Sequence, residues 1–305
     1  MMTKKSLIVL LPLAALLFPA DAWAWGVGMH LQVGSWLLQQ LAQLPPHLQT
    51  LLAAYPHDYL YGCISADITL GKKHTHYLQH CHSWRIGRQV LTAASDDSQQ
   101  ACAYGYLSHL AADTIAHGYY VPYKLMRSYN TALLQHAYWE MRFEADVDQD
   151  SWNLAKALGR FDFSENDRMM RSVLSDTIFS FGTNKRLFDS LLLLNRLKRW
   201  QKALAALGRT TRWPLHESDR QEYFDLACSA TLSLLRDFET SPWLAADPTG
   251  ERALAAAGKV RKNLHLLWLD GKLSEADADR LLLQLKTILK DGMLHQDRLL
   301  KLTVS

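Results

Sequence analysis

The sequence predicts an all-α protein: a helical bundle with additional helices in its C-terminal half. Three observations carry that reading. Helical periodicity of apolar residues dominates the chain. No stretch shows the alternation of a half-buried strand, and no unit repeats at roughly 20–50 residues. The composition, 49% hydrophobic and 21% charged, suits a globular protein with a real core.

Taken in order, helices are expected over 29–43, 46–55, 75–95, 98–117, 122–148, 164–181, 184–207, 217–238, 249–270 and 274–300. Pro45 and Pro46 separate the first two. Asp247-Pro248 and Gly250 mark a turn before residue 252, and Gly271 lies just ahead of Ser274 and Asp277, a capping pair that opens the last helix.

Residues 1–24 read as a secretory signal peptide. Lys4 and Lys5 precede an apolar run from Ser6 to Phe18, and Ala22-Trp23-Ala24 is a small-x-small cleavage box. That run is too short for a bilayer, which needs about 20 residues. Cleavage after Ala24 predicts an exported protein, periplasmic or secreted. The formal charge of +3 includes the leader, and so modest a charge gives no electrostatic case for a stable nucleic-acid partner. Four cysteines, Cys63, Cys81, Cys102 and Cys228, have no CxxC spacing, so a cysteine-rich zinc knuckle is not expected. Buried thiols and a disulfide are equally compatible with them, and Cys63 with Cys81 is the first pair to test.

Ten of 13 histidines lie between His30 and His136. Residues 25–150 therefore read as the chemical, zinc-binding half, and 151–305 as a helical region packed on it or forming an interaction surface. His109 and Asp113 stand four residues apart, one turn along a helix face, and so do Asp113 with His117 and His136 with Glu140. A single such pair is usually a surface contact. Three pairs among Leu107, Leu110, Ile115, Ala137 and Trp139 point inward, where acids and imidazoles need partners and a cation is the simplest common one. Upstream, Asp67, His74, His76, His80 and His82 form a second cluster. His74 and His76, beside Lys72 and Lys73, fit a solvated turn; spacing alone does not choose among the rest. Cleavage after Ala24 would also free the Trp25 α-amine, with a pKa near about 8. Amine and carbonyl can chelate a divalent metal, and His30 follows five residues on.

This pattern resembles the zinc-dependent phospholipase C family of bacteria, whose all-helical fold is shared by fungal single-strand nucleases. The residues that carry it are an N-terminal Trp, a nearby His, an Asp, a His, HxxxD, a further His and HxxxE, across residues 25–145. The resemblance implies up to three Zn2+ ions: Trp25 and His30 on one; Asp67, His82 and His109 on a second; Asp113 bridging these two; and His117, His136 and Glu140 on the third. His117 follows Asp113 more closely than the family's pattern has it, and His80 competes with His82. The nuclease branch's Gly-Asp-x-His-Gln-Pro segment is missing.

The resemblance implies a phospholipase C-like phosphodiesterase that hydrolyses phospholipid head-group phosphodiesters by metal-activated hydroxide. Asp113 is the central catalytic ligand, with Asp67 as a candidate general base. A zinc-dependent nuclease and a non-catalytic metal-binding or membrane-surface protein are the alternatives. Tyr104, Tyr106, Tyr119, Tyr120, Tyr123, Tyr138 and Trp139 could wall a head-group site or simply pack the core. The basic, Leu-rich stretch 184–202 could lie on a membrane or cover the core.

Overall fold

A computed structural model describes residues 25–69, 80–131, 136–174, 180–195 and 215–300. The described residues form helices and no strand, as the periodicity predicts. The first half runs α1 (Val27–Leu38), α2 (Pro46–Ala54), α3 (Pro56–Ser65), α4 (Trp84–Ala93), α5 (Asp97–Ile115), a π-helical segment (Ala116–Tyr120), α6 (Val121–Arg127) and α7 (His136–Glu144). Then come α8 (Gln149–Leu158), α9 (Ser164–Val173), α10 (Phe181–Asn195), α11 (Glu217–Arg236), α12 (Glu251–Leu269) and α13 (Glu275–Gly292).

Local signals explain most boundaries. Asp96 accepts the Gln99 N–H to open α5, and Ser274 accepts that of Asp277 to open α13. Gly271, at φ +68°, closes α12. Three expectations need correction. The helix expected over 75–95 is α4 alone among the described residues, because Ser83 caps it through the Ile86 N–H. The helix expected over 122–148 is two: α6 stops at Ser128, whose hydroxyl turns back to the Lys124 and Leu125 carbonyls. No helix is expected over 56–65, yet Pro56 starts α3 there, at the position where a missing N–H costs nothing.

α5 is the axis. It packs against α3, α4 and α11, while α12 packs on α6 and the π segment, so residues beyond 150 lie directly on the first half. At α3–α5 the backbones nearly touch: a Cβ on Gly62 would lie 1.9 Å from the Cys102 carbonyl oxygen, and one on Gly105 2.0 Å from that of Tyr59. Only glycine admits this approach. It draws the end of α3, with Asp67 just beyond, toward His109 and Asp113. No described helix is long and apolar enough to cross a membrane. All four cysteines are buried free thiols, and burial pushes that of Cys63 up to about 12. The proposed leader, His74, His76 and residues 196–202 of the basic stretch lie outside the described residues.

Candidate metal centre

Three sets of donors meet in the interior, each with ligand atoms within 4.8 Å of one another: His30, His109 and Asp113; Asp67, His82 and His109; His117, His136 and Glu140. α5 supplies the hub. His109 and Asp113 sit one turn apart, with 3.2 Å between His109 Nε2 and Asp113 Oδ2. His30 of α1 reaches Asp113 Oδ1 at 3.4 Å, and its ring stacks on that of His109 at 3.8 Å. His82 Nε2 lies 3.1 Å from Asp113 Oδ2 and 3.3 Å from Asp67 Oδ1. Asp113 thus faces the first two sets with a different oxygen toward His30 than toward His82.

Spacing left His80 and His82 both open. The structure turns His82 toward Asp67 and His109, while His80 Nδ1 accepts the His82 backbone N–H. His80, Cys81 and His82 form a further possible metal-holding group. The third set is separate. His136 Nε2 and His117 Nε2 lie 2.6 and 3.4 Å from Glu140 Oε1. His117 stands four residues after Asp113, but the backbone loosens into a π turn there, and its ring aims at Glu140.

The donor set fits divalent metal. His30 and both Asp113 oxygens are buried without a hydrogen bond of good geometry, as is Glu140 Oε2. His109 Nε2 and His82 Nε2 approach to 3.0 Å. Bare ring nitrogens repel at that distance, so a shared cation or proton must hold them. Backbone carbonyls orient the rings: His109 Nδ1 donates to the Cys63 carbonyl and His117 Nδ1 to that of Pro248, both at 2.8 Å. Each turns Nε2 toward the site. The second carbonyl comes from the turn before α12, where Gly250 at φ +59° lets the chain press on His117; a Cβ there would lie 2.3 Å from the His117 oxygen.

Burial pushes Glu140 up to about 8, against a smaller lowering by His117. Burial also works to raise Asp113, but His109, His30 and His82 hold it well below the usual carboxylate range. His109 is lowered by burial and by His30.

Sequence reasoning missed Glu144. Buried at the end of α7, it accepts the N–H groups of Gly28 and Met29 at 2.6 and 3.2 Å, clamping the start of α1 between Trp25 and His30. Its signal was present: His136, Glu140 and Glu144 form one four-residue stripe. Trp25 is fully buried, its ring against Tyr120 and Phe143. Most of the aromatics proposed as a substrate wall are core: Tyr106, Tyr119, Tyr120, Tyr123 and Trp139 are buried. Two of them brace the site, Tyr106 by donating to the Cys81 carbonyl and Tyr120 to that of Trp139.

A family model described as zinc dependent phospholipase C matches residues 29–181, which hold every site residue named above except Trp25 and Gly28 among α1's opening residues and the supporting turn at 248–250. No curated protein and no solved structure matches the chain.

Proposed function

Because the chain belongs to the zinc-dependent phospholipase C family, we propose that it is an exported phosphodiesterase holding three zinc ions, which releases head groups from phospholipids. The observation that supports this best is the sharing of Asp113 between two donor sets, with a third set from the same stretch of chain. Trp25 and His30 would hold one ion; Asp67, His82 and His109 another; His117, His136 and Glu140 the third; and Asp113 would serve the first two. Bound zinc supplies Lewis acidity, which makes water a nucleophile near neutral pH and offsets charge on phosphoryl oxygens.

The protein's own groups do the rest. Asp113, anionic and fully buried, fixes the spacing of the first two sets. His109 and His117, locked by carbonyls, present Nε2 without rotating. Asp67, 7% exposed, is the most accessible carboxylate of the first two sets and is placed to take the proton of attacking water. Export is part of the proposal: with Ala24 attached, the Trp25 nitrogen is an amide and its chelate is lost.

The test is metal analysis with turnover. Protein beginning at Trp25 is expected to carry three zinc ions and to release head groups from phosphatidylcholine; protein keeping one residue ahead of Trp25 is expected to carry fewer. Asp113→Ala should lose zinc and at least about 1,000-fold of the activity together. Full activity in Asp113→Ala overturns the mechanism. Turnover of single-stranded DNA with none of phospholipid would replace the substrate.

A further inference from the structure

The C-terminal end of α12 is apolar on every side and wet. Leu266, Leu267, Trp268 and Leu269 are 51, 41, 40 and 61% exposed. Four consecutive helical residues, at about 100° each, cover the whole circumference. The last buried residue of the helix is Leu264, so the tip projects beyond the body. Scattered exposed leucines are ordinary on a protein surface, but a contiguous run ending in a turn is not.

Two features select the occupant. A protein groove covers one face of a helix, whereas a fluid apolar layer surrounds it, and a tryptophan among leucines suits the boundary between acyl chains and head groups. Behind the tip, α12 is cationic: Lys259 and Lys262 are exposed, and the helix carries no acid between Glu251 and its end. Lys262 trails Leu269 by seven residues, about 10 Å of helix. With the tip sunk about 5–10 Å into the layer, that ammonium lies level with lipid phosphates. Two acids near the tip have partners in the chain, Asp270 with Lys272 and Asp277 with Arg280.

The base of the tip is also tied to the turn that follows α6. One turn back, His265 Nδ1 lies 2.9 Å from the Tyr129 carbonyl, and Arg261 donates to that of Thr131. Those carbonyls belong to the chain that leads into α7, which carries His136 and Glu140.

We propose that residues 266–269 are an interfacial anchor that enters a phospholipid surface and holds the metal centre against it. Its purpose rests on the phospholipid reading above, but its test does not. Zinc-loaded protein is mixed with phosphatidylcholine vesicles whose acyl chains are brominated. Sedimentation reports binding, bromine quenching of tryptophan fluorescence reports insertion, and choline phosphate release is read in the same samples.

A Leu267→Ser, Trp268→Ser double variant should bind at least about tenfold more weakly and unfold at the parent's temperature. Trp268→Phe should bind like the parent but lose most of the quenching. Binding and quenching without release would sink the phospholipase reading and leave the anchor standing. The anchor is overturned if the parent does not sediment with vesicles, or if the double variant binds as well as the parent. It is equally overturned if the substitutions instead abolish self-association without vesicles, which would make the occupant a second copy.

Discussion

Around Lys124 the chain supplies both signs of charge; around Asp113 it brings together imidazoles and carboxylates. Lys124, 1% exposed on α6, lies 2.8 Å from Asp219 on α11. Lys286 on α13 reaches Asp219 and Glu222 at 3.1 and 2.8 Å, and Lys290 reaches Glu222 at 2.8 Å. Burial opposes ionisation in both regions, yet the carboxylates answer differently. The lysines overcome burial and lower Asp219 and Glu222. Around the metal centre only Asp113 is held low, by its imidazoles; among the described residues no lysine does the same for Glu140, which rises to about 8, or Glu144, which rises to about 7. A cluster completed by its own lysines is a structural joint between helices. A cluster of imidazoles and carboxylates without one calls for a cation from outside.

The largest effects should separate the two regions. Stripping zinc with a chelator should remove about 4 kcal/mol of stability where the metal stands a thousandfold above its Kd. Asp219→Ala should cost about 3 kcal/mol by leaving Lys124 buried and unanswered, while zinc content stays at the parent's value. The chelator's effect on Asp219→Ala should match its effect on the parent, since distant sites add. Thermal unfolding with metal analysis reads both, and zinc loss in Asp219→Ala would mean the regions are coupled.

Glu144 is the place where the metal side behaves like the other. It is a buried acid answered by backbone N–H groups rather than by a cation. Glu144→Ala orphans the Gly28 and Met29 amides, at about 2 kcal/mol. It also frees the start of α1, so the ion assigned to Trp25 and His30 should weaken while the His117, His136 and Glu140 set keeps its own. Equal loss from both sets would make Glu144 a general support of the fold.

What could be read from the sequence was local. Pro46, Ser274 and Gly271 act on their own turn of chain, so their helix boundaries were visible. So were His109 with Asp113 and His136 with Glu140, because a four-residue interval is a helix face. The break after Arg127 was less visible, since it rests on one serine folding back on its helix. The supports of the site were hidden for another reason. The Cys63 and Pro248 carbonyls that lock His109 and His117 are backbone groups, which every residue has. How closely Gly62 and Gly105 let α3 approach α5, and so bring Asp67 beside His82, is a tertiary fact.

The smallest effect is one of sign. Lys124 is lowered to about 8 by burial, despite Asp219, from 10.5. Between those values the unfolded chain holds more protons than the folded one, so raising pH increases this group's contribution to stability. Glu144 is raised to about 7 by burial from 4.5. There the folded chain holds the extra proton, and raising pH from about 4.5 to 7 decreases stability. In chelated protein each group's slope should reach about 1.4 kcal/mol per pH unit at most. By denaturant unfolding across pH, Lys124→Met should reduce the alkaline rise alone and Glu144→Gln the acidic fall alone, leaving the part of that fall that Glu140 contributes. If chelated protein showed the same slope in both windows, the cation-completed joint and the cation-seeking side would not differ in the way their carboxylates indicate.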